Sequence, residues 1–130
     1  LKITDLELLV GGVAHLAAIN ASFQPGTLTT ILGRTGAGKT TLMRAIAGLI
    51  PPDRGQILLD GTGWTRLPPW KRPVAMVTQQ FINYPHLNVR DNVAFPLVRA
   101  GVAKADAAAR AEAALARVGL AAMWRSPARW

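Results

Sequence analysis

The sequence predicts an α/β fold, and three observations predict it. An apolar and Thr-rich run, Leu28–Leu32, leads into a glycine-rich stretch, Gly33–Thr40, and a helical pattern follows. Short apolar runs, Leu1–Leu8, Leu16–Phe23 and Gln56–Leu59, flank that unit as candidate strands. An alanine-rich stretch, Lys104–Val118, adds a segment of high helix propensity.

Each element has a local reason. The first strand turns Leu1, Ile3, Leu6 and Leu8 to one side, with a phase slip near Thr4-Asp5. Gly11-Gly12 marks a turn, and Pro25-Gly26 closes the second strand. After the glycine-rich loop, Leu42, Ile46 and Leu49 recur at i, i+4 and i+7, which gives the helix one apolar face. Gly48 suits its end, and Pro51-Pro52 forbids continuation. Asp60-Gly61 turns the next strand, Leu67–Pro73 is a Pro-rich connection, and Ala75-Met76-Val77 reads as a further short strand. Tyr84-Pro85-His86 is irregular. Asn88 is a plausible N-cap for a helix over Val89–Leu97, with Asp91 in the first turn. In the alanine-rich helix, Ala108, Ala111, Leu115 and Val118 line one stripe, and Gly119 suits its end.

Composition narrows the function classes. The chain has 130 residues, half of them apolar, which fits one domain with a core. It has no cysteine, so disulfides, thiolate metal sites and cysteine nucleophiles are excluded. No apolar run approaches the ~18–20 residues of a membrane span. Leu1–Asp5 shows no basic run leading into an apolar one. The net charge is +8, but 11 of the 15 cations are arginines spread singly along the chain. That reads as a solvated surface, not a nucleic-acid patch. The chain opens at Leu1 and ends at Arg129-Trp130 without a recognisable closing element, so a piece of a longer chain is expected.

The chemistry sits in Gly33-Arg34-Thr35-Gly36-Ala37-Gly38-Lys39-Thr40, which matches G-x-x-x-x-G-K-[ST] in full. Gly36 and Gly38 let the backbone curl with its N–H groups facing a phosphate. The following helix aims its positive end at the same anion. Lys39 is a mobile point charge that can reach outer phosphates. The Thr40 hydroxyl is a hard oxygen ligand suited to Mg²⁺. Thr41 can add a second hydroxyl on the inner phosphate. Of the acids, only Asp60 ends an apolar run, and Asp-Gly after a short strand is turn chemistry rather than a metal ligand.

Beyond the loop, Gly38–Leu49, then Pro52-Asp53-Arg54-Gly55-Gln56 to Gly61, then Val74–Gln79 with Tyr84–Val93, stand in the order found in ATP-binding cassette (ABC) ATPases, which roughly residues 1–119 resemble. The resemblance implies a P-loop NTPase core with an N-terminal antiparallel β subdomain over residues 1–87 and the start of a helical subdomain over 88–130, incomplete as a fold. It implies ATP and Mg²⁺ as cofactors. The nucleotide would be held by Gly33, Arg34, Thr35, Gly36, Ala37, Gly38, Lys39, Thr40 and Thr41, with Gln79 as the metal-contacting sensor beside Thr40. Partners would be a second ATPase domain and a membrane permease, met through about residues 80–97, with a solute-binding protein indirectly. The place of work would be the cytoplasmic face of the inner membrane. The Tyr84-Pro85-His86-Leu87 form is similar to importers of sugars, glycerol and glycerol phosphate. His86 reads as structural or permease-facing, and His15 as surface.

Two features depart from the family pattern. The usual aromatic ring for adenine falls near Val10, which cannot stack. The signature loop, Walker B carboxylate, catalytic Glu and switch His would all follow Trp130, so no catalytic residue is expected in this segment and it should not hydrolyse ATP alone. Two other classes stay open at this point: a small P-loop kinase, and a non-enzymatic basic binding module.

Overall fold

Ile3, Leu6 and Leu8 are almost fully buried, although their spacing is three and then two residues. A strand of period two accommodates this only with an irregularity between them. The computed structural model, which describes residues 1–80 and 82–127, shows where it lies. In β1 (Lys2–Val10) the register to β2 (Val13–Ser22) shifts between Ile3 and Leu6, and Asp5 adopts φ 46°. Asn20 on β2 holds the kink. Its Oδ1 accepts from the Asp5 amide at 3.0 Å, and its Nδ2 donates to the Asp5 carboxylate at 2.8 Å. The expected phase slip at Thr4-Asp5 is therefore a built bulge.

The chain forms two compact units, Leu1–Val77 and Thr78 onward. In the first, β3 (Arg54–Leu59) pairs antiparallel with β1, and the turn at Asp60-Gly61 returns the chain as β4 (Thr62–Gly63). The sheet order is β2-β1-β3-β4, all antiparallel. One face carries Ile3, Leu6, Leu8, Leu16 and Ile57, and Trp64 joins them. Against this cluster lie Leu42 and Ala45 of α1 (Lys39–Ala47). Ile46 packs at its margin, whereas Leu49 is 55% exposed because Gly48, at φ 78°, has already turned the chain away.

Two expected strands are not formed. Leu28–Leu32 and Ala75-Met76-Val77 have no regular structure and no ladder partner among the described residues, and Leu28, Leu32 and Val77 are almost fully exposed. Their composition favours strands, but a strand exists only where its N–H and C=O groups meet another backbone. Within this span the sheet offers them none.

In the second unit, α2 (Val89–Arg99) begins as expected at Asn88, whose side chain accepts from the Asp91 amide at 2.8 Å. It runs on through Pro96 to Arg99. Proline in a last turn loses one backbone bond, and Ala100 closes the end by donating to Pro96 and Leu97. α3 (Lys104–Arg117) buries Ala107, Ala111 and Leu115, a stripe rotated from the expected one. Ala108 is half-buried, and Val118, beyond the last helical turn, is 68% exposed. Trp124 packs near Val89 and Leu115, with Arg90 and Arg125 over its ring at 5.1 and 4.2 Å. Phe81, inside the stretch 80–97 expected to face a permease, and residues 128–130, at the end of the expected helical subdomain, lie outside the described residues.

Leu6→Ala, at a fully buried site in the sheet core, is expected to cost about 3 kcal/mol, and Asn88→Ala about 1 kcal/mol through the lost cap, both read by urea unfolding.

Candidate functional site

The loop from Gly33 to Gly38 joins an irregular run to α1, and the expected turn of the main chain is present. Gly36 and Gly38 adopt φ 84° and 83°. These values are open to glycine and strained for any residue with a Cβ. The two glycines have different second reasons. A Cβ at Gly36 would meet nothing within 4 Å, so that side of the loop is open. A Cβ at Gly38 would run into the His15 carbonyl oxygen on β2 and lie 3.2 Å from the Leu16 side chain. Gly38 is thus the place where the loop is pressed against the sheet.

The start of α1 presents free donors. The first amides of a helix have no intrahelical acceptor, and no side chain caps this N-terminus. No acid stands in its first turn, so nothing on the helix competes there for the positive end of the dipole. Lys39 curls back across the loop. Its Nζ donates to the carbonyl oxygens of Gly33 and Arg34, both at 2.7 Å. An ammonium has three donors, so the charge is parked over the loop with one donor left for an anion. Thr40 is exposed and Thr41 half-buried at the same helix end. Open amides, an ammonium over the loop and two hydroxyls form a donor set that fits a phosphate chain. For Mg²⁺, the fit rests on the Thr40 hydroxyl. Among the described residues no group of three His, Asp or Glu gathers to hold a metal, and Mg²⁺ with a nucleotide commonly takes only one or two protein ligands.

The structure brings Gly33 through Thr41 together at one helix end. Gln79 lies at an exposed bend in the second unit. Asp60 is exposed in the β3–β4 turn with φ 49°, as turn chemistry predicts. Val10 is 46% exposed at the tip of the first hairpin, and Asp53 Oδ2 accepts from the neighbouring Leu9 amide at 2.7 Å.

Two organising residues were not singled out by the sequence reading. Asn92 ties down the Tyr84–Leu87 loop: its Oδ1 accepts from the Tyr84 amide at 2.7 Å, and its Nδ2 donates to the carbonyls of Tyr84, Leu87 and Asn88. Tyr84 also stacks on Phe95 with ring centroids 4.3 Å apart. The only hint was Asn92 standing four residues after the cap, on the face that looks back at the loop. The second is Arg72, a buried guanidinium whose pKa is lowered by desolvation. An arginine beside Lys71 inside the Pro-rich Leu67–Pro73 connection gave no signal. Along α2 and α3 a groove of about 400 Å³ carries Leu87, Ala94, Phe95 and Val98, edged by Arg90 and Asp91.

Fold and loop together define a P-loop domain with an antiparallel sheet packed against its helix. The ABC transporter family model matches residues 16–129, and the chain belongs to that family. It is 45% identical over 120 residues to a spermidine/putrescine import ATP-binding protein of Nitrosomonas europaea, covering 92% of this chain and 33% of that protein. It is 43% identical over 113 residues to an Fe(3+) ions import ATP-binding protein of Agrobacterium fabrum, covering 87% and 32%. The chain thus spans about a third of the length of these curated relatives. Among solved structures, the dimeric post-hydrolysis ATP-binding cassette MJ0796 bound to ADP and Pi superposes with a TM-score of 0.84 at 23% identity, over 98% of this chain and 61% of that one. This likeness bears out the expected α/β P-loop architecture, seen here in part.

Gly36→Ala is expected to destabilise by about 1 kcal/mol, the strain of its φ alone, and Gly38→Ala by about 3 kcal/mol or more because the sheet must also give way. Thermal unfolding of the two variants side by side separates these outcomes.

Proposed function

We propose that this chain is the nucleotide-binding part of the ATP-binding subunit of an ABC importer, and that its loop holds the phosphates of ATP with Mg²⁺. The observation that carries this reading is the Lys39 ammonium held over the glycine-rich loop at a helix end that no side chain caps. In the proposed complex the amides of Gly36, Gly38, Lys39 and Thr40 donate to phosphate oxygens, the Ala37 amide being held by the Arg34 carbonyl at 3.1 Å, and Lys39 exchanges its two carbonyl acceptors for the outer phosphates. Such charge-assisted bonds are about twice as strong as neutral ones. Thr40 offers its hydroxyl to the metal and Thr41 to the inner phosphate. Gln79 supplies a neutral amide that can bridge metal or water and move without stranding a charge. Mg²⁺ supplies charge neutralisation along the β- and γ-phosphates when bound. ATP hydrolysis by the full subunit further needs a carboxylate, which this loop does not contribute.

The partners proposed are a second ATPase domain and a permease. The groove lined by Leu87, Ala94 and Phe95 supports the permease reading, since these residues fall in the stretch 80–97 and stand beside the charged Arg90 and Asp91, although the groove continues past it to Val98 and Lys104. The subunit would work at the cytoplasmic face of the membrane as a peripheral protein. Among the described residues no helix is long and apolar enough to cross a bilayer. As to solute, the sugar, glycerol or glycerol-phosphate reading rests on Tyr84-Pro85-His86-Leu87 alone. The relatives are named for polyamines and ferric ions, and they favour a cationic solute over a carbohydrate.

In the full-length subunit, Lys39→Ala is expected to weaken ATP binding at least about tenfold, the worth of one charge-assisted contact, and to remove turnover. Fluorescent-nucleotide titration and phosphate release measure this, and unchanged turnover would sink the mechanism. Val93→Glu, at an exposed position within 80–97, is expected to abolish co-purification with the permease while leaving ATP affinity within about twofold, as a surface change outside the loop should.

A further inference from the structure

Arg72 is the one buried charged side chain among the described residues, 6% exposed, and the phosphate-site reading leaves it unused. It makes no ion pair among them. Its guanidinium ends instead on main-chain carbonyls from two separate segments. Nη1 donates to Ala45 at 2.9 Å and Ile46 at 2.7 Å, in the last turn of α1. Nε donates to Leu67 at 2.8 Å and Nη2 to Thr65 at 3.2 Å, in the loop after β4.

Backbone bonds already close much of the last turn of α1, and Arg72 adds the Ile46 carbonyl to them. The amides of Gly48 and Leu49 already donate to Ala45 and Arg44, the usual left-handed helix ending. Burying a guanidinium carries a large desolvation cost, so a second closure of the same end calls for another reason. The neighbouring geometry supplies one. A Cβ on Gly48 would stand 2.6 Å from Arg72 Nε and 2.8 Å from its Cζ. Gly48 is therefore required twice, for its φ of 78° and for the room it leaves the guanidinium.

A nine-residue helix behaves as a short rod. What holds its C-terminal turn also sets the position of its N-terminal amides, about 9 Å away along the axis. We propose that Arg72 is a positioning residue for nucleotide binding. By clamping the last turn of α1 to the Thr65–Leu67 loop, it fixes where the phosphate-facing amides and Lys39 stand. The proposal rests on the phosphate-binding reading of Gly33–Thr41. Arginine suits the task because its planar fork serves four acceptors at fixed angles, which a lysine ammonium cannot do.

The test is MgADP binding to the full-length subunit, by calorimetry, beside thermal unfolding. Arg72→Met is expected to weaken MgADP about tenfold or more, a loss of the size a small misplacement produces, and Arg72→Lys to recover part of it. Gly48→Ala keeps the arginine but displaces its guanidinium, and should weaken MgADP as well. Its control is Gly61→Ala, with φ 80° and nothing within 4 Å of the added Cβ, which carries the same backbone strain and should bind within about twofold of wild type. If Arg72→Met fails to fold, the Gly48→Ala and Gly61→Ala pair decides. Equal MgADP affinity in those two, or Arg72 variants that lose only thermal stability, overturns the role of Arg72. In that case Lys39→Ala still weakens binding and the phosphate site stands. MgADP binding that is indifferent to Lys39→Ala overturns both.

Discussion

The seat of α1 on the sheet is the constraint on which the rest depends. Leu42 and Ala45 are buried against Ile3, Leu6, Leu8, Leu16 and Ile57, so the helix is anchored through its flank. That leaves the N-terminal end of its first turn without any side-chain cap. A helix with a buried flank and a bare N-terminus is a fixed set of aligned donors. Gly38 completes the arrangement by letting the loop touch β2 at His15, where any larger residue would hold it off.

The two ends of α1 are treated oppositely. The N-terminal end is left electrostatically incomplete, with Lys39 satisfied for the moment by the loop's own carbonyls. Those bonds can be exchanged for an anion without leaving a buried group unpaired, because the site is open to water. The C-terminal end is closed by backbone bonds at Gly48 and Leu49 and by the Arg72 fork as well. An open N-terminal end opposite a doubly held C-terminal end is the arrangement on which the proposed anion site rests.

The second unit solves a different problem. Its loop Tyr84–Leu87 has no regular structure, yet Asn92 satisfies four of its backbone and neighbouring groups from one side chain. Tyr84 and Phe95 stack beneath it. An irregular segment held this firmly can present a defined surface, which an unsupported loop of the same sequence could not.

Local chemistry determined much of this molecule directly from its residues. The turns at Gly11-Gly12 and Asp60-Gly61, the Asn88 cap, the bulge at Thr4-Asp5 and the turn of the glycine-rich loop all depend on neighbours a few positions apart, and all were legible. The geometry of the loop was legible too, because only glycine tolerates the φ values at Gly36 and Gly38. Tertiary structure alone decided the rest. Leu28–Leu32 and Ala75–Val77 have strand composition, but pairing is a property of two segments, and this span supplies no second one. The buried stripe of α3 turned to Ala107 because the helix it packs on, not its own periodicity, selects the face. Arg72 was invisible for the same reason: its four acceptors come from two segments distant in sequence, and hydrogen bonds to backbone carbonyls leave no trace in the residue types that make them.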